Sequence, residues 1–241
     1  SASRTMKAAQ KLYEHGLITY HRTDSVALSS KFLGMAKDYI LKNFGEKYFD
    51  SRGFKNKSKN AQEAHEAIRP TNLNTLPANI SLGKDEASIY GLIYTRSIAT
   101  QMTPIKSLTT SLDIKSSDNV FLYRTTGSRV LFDGWSKIYK TVSGVKYNPL
   151  GEDVILPKLN EEQPLKINES KFEEKSTQPP ARYSEASLIK TLEKYGIGRP
   201  STYAPTIQTI ITRKYVEKVT KYLVPTDLGF VVIKLLEDNF N

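Results

Sequence analysis

The sequence has no cysteine, which excludes disulfides, thiolate nucleophiles and zinc sites built on cysteine. It also has no apolar run long enough to cross a bilayer. Its three histidines, His15, His21 and His65, do not lie at a spacing typical of metal ligands. A chain of 241 residues, 39% of them hydrophobic, can still bury one large core or two or three smaller ones. These features favour a folded protein of a reducing, cytoplasmic compartment with no metal site of its own.

Acidic residues are fewer than basic ones, 25 against 35, so the net charge is +10. Residues 1–70 carry 13 basic and 7 acidic side chains, and residues 182–241 carry 9 and 6. Residues 71–181 are nearly neutral, with 13 and 12. A basic surface favours polyanions, among which nucleic acid is the commonest partner. A merely soluble basic protein explains the charge equally well.

Hydrophobic periodicity predicts a helical domain over residues 1–105. Ser29 and Asn60 stand at N-cap positions, and Gly16 and Pro70 stand where helices should end. The predicted helices span residues 5–15, 30–43, 61–69 and 85–102.

The pattern changes to period two in a β-rich segment over residues 106–178. Its predicted strands span residues 107–114, 120–126, 129–135 and 153–159. Residues 179–241 then form helix, tight turn, helix, two-stranded hairpin and helix, which is a winged-helix-like order. The sequence therefore predicts a mixed α and β, multi-domain fold.

The stretch "GLITYHRTDS", residues 16–25, places Tyr20 where an apolar run meets a polar one. A free phenol has a pKa near 10 and is a poor nucleophile at neutral pH. Arg22 is permanently charged, so it favours the phenolate, and its planar fork suits phosphate oxygens. Taken alone, such a pair more often means a strand aromatic with its hydroxyl at the surface.

The stretch "QEAHEAIRP", residues 62–70, contains a second candidate pair. On a helix, His65 and Arg69 lie on the same face and can bind one phosphate and its neighbour. The alternative is a helix surface on which Glu66 pairs with Arg69.

The third candidate is "YGIGRPST", residues 195–202. Its two glycines permit a sharp turn, and Arg199, Ser201 and Thr202 lie at the start of the next helix. Backbone amides, hydroxyls and a guanidinium there can form an anion site. A plain connection between two helices explains the glycines equally well, and the stretch is neither a Walker A motif nor a dinucleotide fingerprint.

In this order, the three motifs resemble those of the type IA DNA topoisomerases, and most closely bacterial topoisomerase I. The intervening "QMTP" and "FDGW" fit the same family. The resemblance covers the chain from about Thr5 to Asn241, and its last motif is the most specific. His21 departs from the family, which often has methionine at that position.

The resemblance implies a role for each residue of the first two motifs. Tyr20 is the expected nucleophile, which attacks a backbone phosphorus of single-stranded DNA and leaves a 5′-phosphotyrosine and a free 3′ hydroxyl. Arg22 is expected to position the scissile phosphate, and His65 to form a hydrogen bond near the active site. The implied activity is relaxation of negative supercoils without ATP.

The resemblance also implies a groove for the DNA strand. Arg199, Ser201 and Thr202 match part of the groove that holds single-stranded DNA upstream of the cut. Arg69 and Arg213 are predicted as further contacts to the DNA backbone.

Type IA enzymes are toroidal, and the β-rich segment is expected to belong to their arch. The family binds Mg²⁺ through an acidic cluster of an N-terminal Toprim domain, and this sequence has no Asp-x-Asp. The chain is therefore expected to be a central fragment without that domain. Its expected partners are DNA and the missing Toprim domain, and no membrane. The fragment alone should not relax DNA, and the whole enzyme belongs in the bacterial nucleoid.

The sequence is compatible with other interpretations. A topoisomerase III or a reverse-gyrase-type relative shares these motifs. A non-catalytic winged-helix DNA-binding module explains the basic ends and residues 184–241, but leaves the Tyr20 and His65 motifs without a role. A purely structural or protein-interaction fragment is the third alternative.

Overall fold

The structure is a computed structural model that describes residues 1–54, 65–143, 151 and 153–240. Within these ranges the chain forms seven α-helices and two antiparallel two-stranded sheets, so the prediction of a mixed α and β fold is confirmed. No helix in the described ranges is long and apolar enough to span a membrane. The helices are α1 (Ala2–Glu14), α2 (Ser30–Phe44), α3 (Lys84–Ala99), α4 (Ser136–Ser143), α5 (Glu185–Lys194), α6 (Tyr203–Thr212) and α7 (Asp227–Asn239). The strands are β1 (Lys106–Lys115), β2 (Leu122–Phe132), β3 (Val216–Val219) and β4 (Tyr222–Pro225).

The first three helices enclose the main hydrophobic core. The hydroxyl of Ser29 accepts a hydrogen bond from the amide of Phe32 and so caps α2 as predicted. Gly16, just after α1, has a φ of +67°, a conformation that glycine adopts at no steric cost. Three of the four predicted N-terminal helices are confirmed to within a few residues. Fully buried core residues include Leu12, Phe32, Ile40, Tyr90, Tyr94 and Ile98.

The predicted helix over residues 61–69 is wrong for its described part. Residues 60–64 lie outside the described residues, and residues 65–69 are not helical. Tertiary contacts replace the local helix bonds, since the amide of Thr19 donates to the carbonyl of Arg69 at 2.9 Å. Ile18 and Pro70 form an antiparallel bridge beside them.

In its described residues, the β-rich segment contains one long hairpin instead of the four predicted strands. The strands predicted over residues 120–126 and 129–135 form one strand, β2, because Gly127 between them stays paired with β1. Gly127 also allows Val154 to approach, since a Cβ there would meet the carbonyl oxygen of Val154 at 2.5 Å. The predicted strand over residues 153–159 is reduced to a single bridge between Val154 and Ser128. Helix α4 was not predicted, and its Ile138 is fully buried in the main core.

The C-terminal elements follow the predicted order of helix, turn, helix, hairpin and helix. Strands β3 and β4 pair antiparallel, and the Thr226 hydroxyl accepts from the amide of Gly229 at the start of α7. Helix α6 packs on α1, and the amide of Ala2 donates to Glu185 at 2.6 Å. The boundaries of the three domains stay predictions.

Candidate functional site

Tyr20 lies at the end of a segment that is tied to residues 67–70. The hydroxyl of Thr19 donates to the carbonyl of Ala67 at 2.8 Å and accepts from the amide of Arg69 at 2.9 Å. The Ile18–Pro70 bridge adds backbone pairing. These bonds fix the backbone next to Tyr20, whose side chain is partly buried.

Three rings surround the phenol of Tyr20. The ring centroid of His65 lies 5.3 Å from that of Tyr20, so the structure brings together two residues that are 45 positions apart in sequence. Tyr13, on the last turn of α1, packs edge-on against Tyr20 at 5.2 Å, and His21 does so at 5.6 Å. Among the described residues, the buried Nδ1 of His65 has no hydrogen-bond partner. Sequence reasoning assigned no role to Tyr13, whose position becomes evident only in the fold.

Arg69 is buried and is engaged by neighbouring residues of the protein. Its side chain is 9% exposed, and its Nε and Nη2 donate to Glu66 at 2.9 and 2.6 Å. Its Nη1 donates to the carbonyl of Pro70 at 2.9 Å, and its guanidinium lies 5.2 Å from the ring centroid of Phe32. Arg69 therefore braces this loop, and we do not retain it as a DNA contact. The pairing with Glu66 is the alternative that the sequence left open.

The charge state of Glu66 follows from this pair. Burial disfavours its charged form, but the hydrogen bonds and the positive charge of Arg69 outweigh burial and lower the pKa of Glu66 below its ordinary value. The carboxylate is therefore ionised at neutral pH and available to hold Arg69.

Arg22 is exposed and lines a cavity of about 460 Å³ between α1 and α6. Ser201 lines the same cavity, so the structure brings the first and third sequence motifs together. Lys7 and Lys11 contribute two further basic side chains, and none of the described residues that line this cavity is acidic. Lys11 also pairs with Glu86 at 3.1 Å. A cavity with this lining is suited to an anion such as phosphate.

The glycine turn, residues 196–202 before α6, is stabilised by hydrogen bonds among its own residues. Gly198 has a φ of +81°. The hydroxyl of Thr202 accepts from the amide of Arg199 at 2.8 Å, so it closes the turn and does not cap α6 with its side chain. The exposed guanidinium of Arg199 donates to the carbonyl of Gly198 at 2.8 Å. Arg213 is exposed at the opposite end of α6, about 15 Å away for a helix of ten residues.

His21 is the residue that sequence reasoning undervalued. It is only 4% exposed, and neither ring nitrogen has a hydrogen-bond partner among the described residues. Burial lowers its pKa, and the nearby charge of Arg22 lowers it further. His21 lines a second cavity, of about 550 Å³, that lies between α1, α5, α6 and the β3–β4 turn. The only sequence signal was that histidine replaces the methionine often found at this position.

Comparisons with known proteins agree with the motifs. A family model described as DNA topoisomerase matches residues 1–241. DNA topoisomerase 1 of Campylobacter jejuni is 44% identical over 250 residues, which cover 99% of this chain and 34% of that protein. DNA topoisomerase 1 of Pseudomonas aeruginosa is 43% identical over 239 residues, which cover 98% and 27%.

The fold gives the same answer. The structure of full-length topoisomerase I from Thermotoga maritima superposes with a TM-score of 0.76 at 35% identity, covering 98% of this chain and 38% of that one. This chain belongs to the type IA DNA topoisomerase family, with bacterial topoisomerase I among its similar relatives. It spans about a third of the length of the relatives cited, which are named as DNA topoisomerases, a class of isomerase.

Proposed function

We propose that this chain carries the catalytic tyrosine of a type IA topoisomerase, which cuts and rejoins single-stranded DNA and relaxes negative supercoils without ATP. The observation that carries the proposal is the placement of Tyr20. Its ring packs against His65 at 5.3 Å, two residues before Arg22 enters a basic cavity. Family membership supports the same assignment.

The proposed reaction exchanges one phosphate ester for another. The Tyr20 oxygen attacks the phosphorus and loses its proton, the bond from phosphorus to the 3′ oxygen breaks, and that oxygen takes up a proton to become a 3′ hydroxyl. The phosphate remains on the 5′ end of the downstream strand as a tyrosine ester. Attack by the 3′ hydroxyl reverses each step, so the energy of the broken bond is kept and no ATP is needed.

Arg22 and His65 are proposed to support the attack. The exposed guanidinium of Arg22 can offer two parallel hydrogen bonds to the phosphate and offset the charge that develops on its oxygens. His65 lies against the Tyr20 ring, and its buried Nδ1 is without a partner among the described residues, so it can bond to an oxygen that enters the site. These are proposed roles for the substrate-bound state.

The proposed strand path leads from Arg22 to the glycine turn. Ser201 shares the cavity of Arg22, and Arg199 is exposed two residues before Ser201. The hydroxyl of Thr202 is engaged within the turn, so we propose that it shapes the groove and does not bind phosphate through a free hydroxyl. Arg213 lies at the far end of α6 and is proposed as a more distant backbone contact.

The described residues do not fit the Mg²⁺ ion that the family implies. Among them, no group of three or more histidine, aspartate or glutamate side chains could hold a metal ion. No step proposed for these residues is therefore routed through a metal. That the 241-residue chain alone does not relax DNA stays a prediction, which a relaxation assay with Mg²⁺ would test.

Replacing Tyr20 by phenylalanine tests the proposal. In the full-length natural protein, Tyr20→Phe should abolish both supercoil relaxation and the covalent adduct to a single-stranded oligonucleotide labelled on the 3′ side of the cut, because the attacking oxygen is gone. Tyr123→Phe is the matched control, since Tyr123 lies on β2, is 59% exposed and lines neither cavity, and it should behave as wild type. Adduct formation by Tyr20→Phe would refute the assignment.

A non-catalytic DNA-binding module is the second candidate, because the winged-helix-like order of α5 to α7 is present. It predicts that Tyr20→Phe leaves function unchanged, and the same experiment therefore separates the two.

A further inference from the structure

We propose that the 550 Å³ cavity containing His21 binds one nucleobase of the DNA strand, beside the phosphate that Tyr20 attacks. This inference rests on the proposed function and adds a base-binding subsite to it. The observations that carry it are a buried imidazole without a partner, the lining of the cavity, and its position next to the basic cavity of Arg22.

The imidazole of His21 is buried, and neither of its nitrogens has a hydrogen-bond partner among the described residues. Buried polar groups in folded proteins almost always have a partner, so such a side chain facing a cavity marks a place for one. His21 follows Tyr20 directly in sequence, and their ring centroids are 5.6 Å apart. A ligand held by His21 therefore lies close to the reacting phosphate.

The size and lining of the cavity suit a nucleobase. Its volume of about 550 Å³ is in the range typical of sites for small organic groups. Met6, Ile189 and Ala204 give it apolar walls, and Tyr203 supplies an aromatic ring on which a base can stack. Burial keeps His21 neutral at pH 7 because its pKa is lowered, so it presents one donor and one acceptor. That pair matches the edge of a base better than a bare phosphate.

The cavity of His21 lies next to the basic cavity that would take the phosphates. Met6 and Ala204 line both cavities, so the base site and the basic cavity of Arg22 are neighbours across these two side chains. Lys221, exposed at the other rim, offers a second cation, whereas Lys218 is already paired with Glu185. A nucleotide can therefore place its base against His21 and its phosphate against Arg22.

An abasic scan tests this inference in the full-length natural protein. Oligonucleotides with a single abasic residue, moved one position at a time across the cleavage site, are compared for binding. We expect one position near the cut at which removal of the base weakens wild-type binding about tenfold, as loss of one hydrogen bond together with stacking predicts.

His21→Met should reduce that penalty to twofold or less. Methionine fills the space with an apolar chain and cannot bond to the base. Because the variant also removes two unpaired buried nitrogens, its melting temperature without DNA should equal or exceed that of wild type. His21→Gln keeps a donor and an acceptor and should retain part of the abasic penalty. His15→Ala, an exposed histidine outside both cavities, is the control and should retain all of it.

Two results would overturn the inference. One is a wild-type scan in which no position matters by more than twofold, and the other is a penalty that persists unchanged in His21→Met. The Tyr20 adduct keeps this outcome distinct from failure of the proposed function. If wild type forms the adduct but shows no abasic penalty, only the base subsite is wrong, whereas the absence of an adduct removes the proposed function as well.

Discussion

Replacing Arg69 by methionine should destabilise the protein much more than replacing an arginine of a surface ion pair. Arg69 makes two hydrogen bonds to Glu66, one to the carbonyl of Pro70 and one to the hydroxyl of Ser29 at 3.3 Å. It also lies over the Phe32 ring. These contacts of Arg69 explain why residues 65–69, which form no helix or strand, can hold His65 in place.

The size of the loss follows from the exposure of the two partners. Breaking a buried ion pair by removing one side costs about 3–5 kcal/mol, because the other charge is left without a partner. The Glu66 side chain is 32% exposed and can turn partly to water, so we expect about 2–3 kcal/mol for Arg69→Met. For a chain of this size, that corresponds to a fall in melting temperature of roughly 5–10 °C.

Thermal and urea unfolding of the wild type and the variants provide the measurement. Arg124→Met is the matched control, because Arg124 pairs with Asp113 on the exposed hairpin, with side chains 67% and 46% exposed. It should cost less than about 1 kcal/mol. Changing Glu66 to leucine together with Arg69→Met removes both charges and should recover part of the loss. Equal effects of Arg69→Met and Arg124→Met would refute the reasoning.

Two further predictions concern single positions. Gly198→Ala should destabilise the protein by about 1–2 kcal/mol, because φ is +81° and the new Cβ would meet the Thr202 hydroxyl at 3.0 Å. The control is Gly34→Ala, in open space within α2, which should be neutral or stabilising. Urea unfolding measures both. Burial and the charge of Arg22 lower the pKa of His21 in the folded state. As pH falls below about 6.5, the unfolded chain therefore takes up a proton at His21 that the folded state does not, and the melting temperature of the wild type should fall. His21→Met should flatten that part of the pH profile, and an unchanged slope would contradict the burial of a neutral imidazole.

Local signals in the sequence predicted those parts of the fold that are determined locally. The serine cap at Ser29 and the glycines after α1 and α5 predicted where helices begin and end, because those bonds lie within a few residues. Helix α4 was missed although Ile138, Tyr139 and Val142 lie at helical spacing and pack in the main core, because eight residues are too few for periodicity to separate helix from strand. The non-helical course of residues 65–69 likewise depends on bonds to Thr19, some fifty positions earlier.

The site shows the same division between local and long-range determinants. Sequence motifs identified Tyr20, Arg22 and Ser201 as candidates, but not which side chains would face each other. Spacing alone suggested that Arg69 was available to a ligand, and the fold instead commits it to Glu66. The departure from methionine drew attention to His21 but not to its chemistry, because an unpaired buried nitrogen can be recognised only once its surroundings are known.

The arginines of the first two motifs, Arg22 and Arg69, have opposite surroundings, and this difference explains how the candidate site can be both rigid and open. Arg69 is buried and bound, so it fixes the loop that presses His65 against Tyr20. Arg22 is exposed, forms no ion pair among the described residues, and lines the cavity that would take the phosphate. Since Thr19, the residue just before Tyr20, forms hydrogen bonds to this loop, loosening Arg69 should move the candidate nucleophile Tyr20 and His65 together. A stability change at Arg69 is therefore expected to lower the rate of cleavage as well, although Arg69 itself touches no substrate in this proposal.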